Sequence, residues 1–323
     1  MSSPRSSRVL EPARPAVTPR AGRPVTSPQV RRRARIRRKL SENLTAYGLL
    51  CLALICFALF SWYPIIRGVL LSFQQINFVD PPSWVGFSNF TKLFNDPLFG
   101  TAWLNTLEFT GMALVFGFLV PFLTAVLLNE MRHARAYFRL LVYLPVMLPP
   151  VVTALMWKWF YDPGPGLFNQ ALHSVGLPTS SWLDSSTTAM LSLVLVSTWA
   201  NMGSTTLIYL AALQTIPGEL YEAAELDGAG MWHRLRHVTF PQTRFVLLVL
   251  LLLQIVATMQ VFTEPYIMTG GGPNDSTVTV LLLLYRYAFV YNDFGSASAM
   301  SLLLFVALGV FSAAYVRLTR RAD

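Results

Sequence analysis

Residues able to do chemistry are few in this chain, and their surroundings argue for holding and passing a solute rather than converting one. His233 and His237 stand four apart, the spacing at which two imidazoles on one helix face can share a metal ion. They occur in HRLRH, without the glutamate of a hydrolytic zinc helix, and Arg234 and Arg236 would repel a cation. His133 and His173 are isolated, so no metal site is expected. No nucleophile elbow, paired-carboxylate pattern or glycine-rich nucleotide fold occurs, and no residue is assigned a catalytic role. A second group consists of polar side chains inside long apolar runs. Asn201, Thr205 and Tyr209, spaced by four, are expected on one helix face, with Trp199 nearby. Gln254 and Thr258 share another face, and Gln260 and Glu264 a neighbouring one. At membrane depth such groups either bond between helices or line a wet path. As a path they suit a hydroxyl-rich solute, with Trp199, Tyr209 and Tyr266 as an aromatic platform.

The elements that must position these residues are membrane spans. Of the 323 residues, 54% are hydrophobic and 13% charged, about half the charge of a soluble domain. A span needs about 20 apolar residues. Six segments qualify, near 46–72, 102–128, 137–160, 188–213, 244–268 and 296–318. All but four of the 25 Lys and Arg fall in alternate connections and in the two ends; the exceptions are Arg67, Lys92, Lys158 and Arg286. This asymmetry predicts both termini in the cytoplasm and explains the basic excess without nucleic acid. Residues 1–43 form a basic, Pro- and Ser-rich tail expected to be disordered, with the run at 31–39 resting on anionic lipid. Residues 44–73 are too long for a signal h-region and are read as an uncleaved first span. An outer loop covers 74–101, and 102–323 form a five-helix core. Span three, with Pro145, Pro149 and Pro150, is expected to bend and to be buried among other helices. Cys51 and Cys56 are expected as small buried residues.

Within the core, 214–243 is a polar loop whose segment 222–241 reads EAAELDGAGMWHRLRHVTFP. The pattern predicts helix, turn, helix. Pro217, Glu219 and Glu222 suit a helix start, and Gly228 a left-handed helix end. A second run over 231–238 leads to Pro241, expected to open the next apolar segment. The small pair Ala223-Ala224 lets another protein approach closely, so the loop reads as a docking knob. Thr269-Gly270-Gly271-Gly272-Pro273-Asn274 enforces a turn after span five. It is not a phosphate loop, since no GxxxxGK[ST] occurs. Asn105-Thr106 opens span two, where a locally bonded helix-start signal accounts for it.

Taken together, Glu222-Ala223-Ala224, Asp227-Gly228-Ala229 and Val238-Thr239-Phe240-Pro241 resemble the EAA loop of permease subunits in bacterial ABC importers. Further matches resemble the sugar-importing subgroup: Val85-Gly86-Phe87-Ser88-Asn89-Phe90, Asn105-Thr106, the series from Trp157 through Asp162-Pro163, Gly166, Asn169 and Gly176 to Trp182-Leu183, the TGGGP turn, and Tyr285 to Phe289. The resemblance covers nearly the whole chain from about residue 44. It implies an all-α integral membrane protein of six spans with the type I importer permease fold and a cytoplasmic coupling helix. It also implies a second homologous permease, an ATP-binding cassette ATPase dimer that binds ATP and magnesium, and an extracytoplasmic solute-binding protein that delivers a sugar. In that picture Glu222, Ala223, Ala224, Asp227, Gly228, Ala229 and Pro241 couple to the ATPase, and Gly270, Gly271, Gly272, Pro273 and Asn274 face the binding protein. The chain itself would hold no cofactor and catalyse nothing, in the inner membrane of a bacterium. A glycerol-phosphate-type solute fits the same class. An ion-coupled secondary transporter, with Glu264 as its ion-coupling residue, and a non-transporting scaffold are the readings from other classes.

Overall fold

The computed structural model describes residues 43, 46–76, 81–131 and 133–320, the last without its side chain. Nearly all of the basic tail, together with Arg132 and Arg321, lies outside the described residues. The chain divides into two units, Met1–Pro64 and Ile65–Asp323. Helix α1 (Ala46–Leu71) starts in the first unit and carries a π turn at Ala58–Trp62. Cys51 and Cys56 are exposed on it, which corrects the buried reading. A helix apolar all round has no inward stripe, so a small apolar residue type says nothing about which side it takes.

The second unit is built of helices apart from a two-rung antiparallel ladder, β1 (Gln74–Gln75) on β2 (Ser83–Trp84). The remaining helices are α2 (Ser88–Phe94), α3 (Pro97–Glu130), α4 (Arg135–Met147), α5 (Pro150–Phe160), α6 (Leu167–Ser174), α7 (Ala189–Leu213), α8 (Gly218–Leu226), α9 (Met231–Thr258), α10 (Val280–Val290) and α11 (Phe294–Arg320). Among the described residues five helices are long and apolar enough to cross a membrane, and α4 with α5 makes a sixth span bent by 98°. The bend falls at Leu148-Pro149, as the prolines predict, because Pro149 and Pro150 have no amide hydrogen to continue α4. Only part of α5 is covered by other elements, chiefly Thr153 and Ala154.

Three clusters form the core. One joins α3, α7 and α9 at the end carrying α8, through Phe122, Ala125, Tyr209, Leu213 and Leu247. One joins α3 and α7 to α5 in the middle, through Phe109, Ala154 and Leu193. The third joins α2, α10 and α11 at the opposite end, through Leu93, Leu283 and Met300.

Two boundaries differ from expectation. Span five ends at Thr258 rather than near 268. Pro265 cannot donate to the Val261 carbonyl, which instead accepts the Thr279 hydroxyl at 3.0 Å, and the chain breaks over residues 259–262 before a π turn at Pro265–Thr269. Pro241 does stand in the first turn of the α-helical stretch Phe240–Thr258, as expected. The difference is that the run from Met231 does not stop before it but continues into that stretch through a π turn at Leu235–Thr239, so that α9 starts at Met231.

Candidate functional site: an inner knob, a central cavity and an outer rim

The knob starts from α8. Pro217 precedes it with extended backbone and Glu219 lies in its first turn. The Ala229 amide donates to the Ala224 carbonyl at 2.9 Å and the Gly228 amide to the Glu225 carbonyl at 3.0 Å, the paired bonds of a Schellman end. Gly228 takes φ +75°, the left-handed value its position demands. The Glu225 carboxylate pairs with Arg234 across the turn, and Tyr221 shares a hydrogen bond with Thr239 at 3.1 Å. Ala224 and Ala229 are half-buried, while Glu222, Ala223, Asp227, Gly228 and Pro241 are exposed. Leu226, at 90% exposed, and Trp232, at 74%, stand out beside them. The knob is folded on itself and presents an acidic and apolar outer face. His233 and His237 stack at 4.0 Å, with the His237 Nδ1 bonded to the His233 carbonyl.

The cavity, of about 510 Å³, lies between α3, α7, α9 and the broken stretch after Thr258. Asn201, Thr205, Gln254, Thr258, Gln260 and Glu264 all line it, and among the described residues no Lys, Arg or His does. Gln260 and Glu264 reach it from the break rather than from one helix face. Gly117 makes room for Gln254, whose Nε2 donates to the Ala113 carbonyl at 2.6 Å; a Cβ on Gly117 would meet that nitrogen at 2.5 Å. Asn201 donates to the Ser197 carbonyl of its own helix, and Gln260, from the break, donates back to the Val256 carbonyl of α9. Ser197 lines the same wall as Glu264. Asn201 and Glu264 also line a smaller cavity, about 210 Å³, against the proline bend at Pro145 and Pro150.

Two members of the expected path stand elsewhere. Tyr209 is 1% exposed, with its ring edge-on to Phe118 and Phe122, and its hydroxyl finds no partner among the described residues. Eight residues along a helix is 800°, so Tyr209 points about 80° away from Asn201 and meets α3. Trp199 packs on Trp157 at 5.4 Å instead of lining the cavity. Tyr266 is exposed and groups with the half-buried Phe262 and Tyr285.

The rim is knitted by buried side chains bonding to backbone, some of it close in sequence and some of it far away. Asn105 is well inside α3, where Asp96 is the actual cap, and it donates to the carbonyls of Asp275 and Val278 at 2.8 and 3.0 Å. Thr106 accepts from the Val280 amide. This corrects the local helix-start reading of the pair: the turn after span five is held by α3. Asn89 donates to the carbonyls of Ser72 and Gln74. Asn169 binds the carbonyls of Pro163 and Ser180, the Ser180 amide and the Trp182 indole. In the glycine turn, Gly270 and Gly271 take φ +62° and +97°, and a Cβ on Gly271 would meet Arg286 at 2.6 Å. The Arg286 guanidinium donates to the Gly270 carbonyl and pairs with Asp275. Gly272 and Pro273 follow, and Asn274 reaches Ser186 at 3.5 Å. Asp96 accepts from Tyr287, and Asp293 from Lys92 and Ser296. Sequence reasoning named Arg286 and Lys92 only as cations off the basic side and missed their partners Asp275 and Asp293.

Known proteins share this arrangement. A probable ABC transporter permease protein of Bacillus subtilis is 37% identical over 274 residues, 83% of this chain and 93% of that one. A trehalose/maltose transport system permease protein of Thermococcus litoralis is 30% identical over 283 residues, 87% of this chain and 96% of that one. The crystal structure of a bacterial ABC transporter involved in the import of the acidic polysaccharide alginate superposes with a TM-score of 0.78 at 27% identity, over 89% of this chain and 99% of that one. The profile of the binding-protein-dependent transport system inner membrane components matches residues 117–323. With the bent span, the loop-borne knob and the relatives in agreement, the chain belongs to that family, the membrane-embedded permease subunits of ABC importers.

Proposed function

We propose that this permease passes a neutral or weakly charged sugar, in the size range of a di- or oligosaccharide, through the cavity lined by Asn201, Thr205, Gln254, Thr258, Gln260 and Glu264. The observation that carries the reading is the lining itself: amides, hydroxyls and one carboxylate, with no cation. Such groups satisfy hydroxyls, whereas a phosphate ester calls for Arg or Lys. A glycerol-phosphate-type solute is therefore the second reading. The relatives named for trehalose/maltose and for alginate point to carbohydrate as well.

The partners follow from the two ends. A second homologous permease completes the path. An ATPase dimer holds ATP and magnesium, so hydrolysis resides outside this chain, and it receives the knob through Glu222, Ala223 and Leu226. A solute-binding protein docks on the rim at the turn over 270–274. Both termini are cytoplasmic, the membrane is the bacterial inner membrane, and the basic tail lies on its anionic surface. ATP-driven closure of the ATPase pair and receptor docking each favour one of two permease arrangements, so each end biases the other.

The test is purification of the tagged chain in mild detergent with identification of what accompanies it. A second six-span protein and an ATPase are expected. Recovery of the chain by itself, with uptake that survives deletion of the ATPase, would replace this reading with an ion-coupled carrier.

A further inference from the structure

The aromatic residues beside the break in span five form one surface that continues into the cavity. Phe262 lines the cavity. Its ring stacks on Tyr266 at 5.0 Å and meets Tyr285 at 5.3 Å; Tyr266 and Tyr285 lie 4.9 Å apart, and Tyr285 meets Phe289 at 5.2 Å. The four rings come from two elements, the segment after α9 and helix α10, and they run from the cavity wall to Phe289, which is 65% exposed. We propose that this surface is an entry lane for pyranose rings, a solute-contact site separate from the polar cavity and upstream of it. The proposal rests on the sugar reading above.

Two observations favour a sugar over lipid or a plain apolar partner. The Tyr266 and Tyr285 hydroxyls lie 3.2 Å apart and share one hydrogen bond. One bond between two hydroxyls uses one proton, so an O–H and several lone pairs stay available to an incoming group. Against lipid tails that O–H would be unpaired, which is costly in an apolar medium. A pyranose offers both halves of the match. Its axial C–H face lies on a ring, and its equatorial hydroxyls meet the tyrosine oxygens at the edge. The lane also ends beside Glu264, two residues beyond Phe262 and itself on the cavity wall, so a solute leaving the rings meets its first strong acceptor there.

The test uses the complete importer, purified with its receptor and ATPase and reconstituted in liposomes. The probes are maltose, trehalose, cellobiose, raffinose and xylobiose, and the sugar that the unaltered importer takes up fastest is carried forward. Two readouts are taken at saturating loaded receptor: sugar moved, and ATP hydrolysed. Tyr285→Leu and Tyr266→Leu should each lower uptake about two- to tenfold, the range of one ring contact, with receptor-stimulated hydrolysis and subunit recovery unchanged. Tyr285→Phe, which keeps the ring, should lose less. Unchanged uptake in both leucine variants would overturn the lane. So would a fall in uptake matched by loss of the second permease from the purified complex, since that would make the rings a subunit interface. If the unaltered importer moves none of the five sugars, the carbohydrate reading fails and the lane fails with it; if it moves one and the variants match it, the lane alone fails.

Discussion

The rim and the knob are held together in opposite ways. At the rim, the buried side chain of Asn105 bonds to backbone some 170 positions away, the buried Asn89 and Asn169 tie neighbouring loops to one another, and Arg286 ties its turn to α10. In the knob the bonds are local: a Schellman end, one ion pair over the turn and one hydroxyl pair, with no buried residue in α8. These rim bonds close on the chain itself. The knob leaves Glu222, Ala223 and Leu226 exposed, as the docking role proposed for it requires. A residue type recurring in a motif therefore means packing at one end and contact at the other.

The largest effect that tests this difference is at Asn169. Replacing it with Leu strands two carbonyls, an amide and an indole N–H in a site that is 2% exposed. At about 1–3 kcal/mol for each stranded buried group that finds no water, a loss of 3 kcal/mol or more is expected. The thermal midpoint in detergent should drop sharply. Glu222→Arg should leave that midpoint within error and instead cut receptor-stimulated ATP hydrolysis about tenfold or more, through charge reversal at a docking face. A large midpoint change in the Glu222 variant, or none in the Asn169 variant, would erase the distinction between the two ends.

Gly228→Ala is a smaller probe of the knob. No atom lies within 4 Å of the added Cβ, so the cost is that of a left-handed backbone alone, about 1 kcal/mol. Exchange of the Ala229 amide should speed up about fivefold with the midpoint unchanged, read by hydrogen exchange of the purified protein.

How much of this was legible in the sequence depended on whether the signal was local. The helix–turn–helix of the knob could be read because Gly228 and the flanking acids act within a few residues. The bend at Pro149-Pro150 was legible for the same reason. The end of span five was not: Met259, Gln260, Val261 and Phe262 carry no breaking signal, and the break depends on Pro265 withholding a donor that Thr279 supplies from another element. Tyr209 was misplaced because a four-residue spacing applied twice drifts by about 80° around a helix. Asn105 was read as a local signal because its partners lie some 170 positions away. Six of the eight path residues share one cavity all the same, since at membrane depth polar groups collect wherever an unfilled space admits them.

The smallest effect concerns the Lys92–Asp293 pair, which fastens α2 to the start of α11 at the rim. Burial by itself would raise the Asp293 carboxyl, but the Lys92 ammonium and the Ser296 amide and hydroxyl outweigh it and hold the group below its usual range. A depressed folded value means the stabilisation is fully present above the unfolded value, near pH 4, and is lost as pH falls through the folded one. Lys92 is 58% exposed, so solvent screening limits the pair to well under about 1 kcal/mol. Lys92→Met removes one lowering partner and leaves the burial. The folded value should rise towards the unfolded one, so acidification below about pH 4 should take less from the thermal midpoint than in the unaltered chain. The knob's Glu225–Arg234 pair supplies the contrast: its carboxylate is 61% exposed and holds a local turn. Arg234→Met should therefore lower the midpoint at neutral pH less than Lys92→Met does. Equal shifts in the two variants would mean that the rim is no more integral to the fold than the knob.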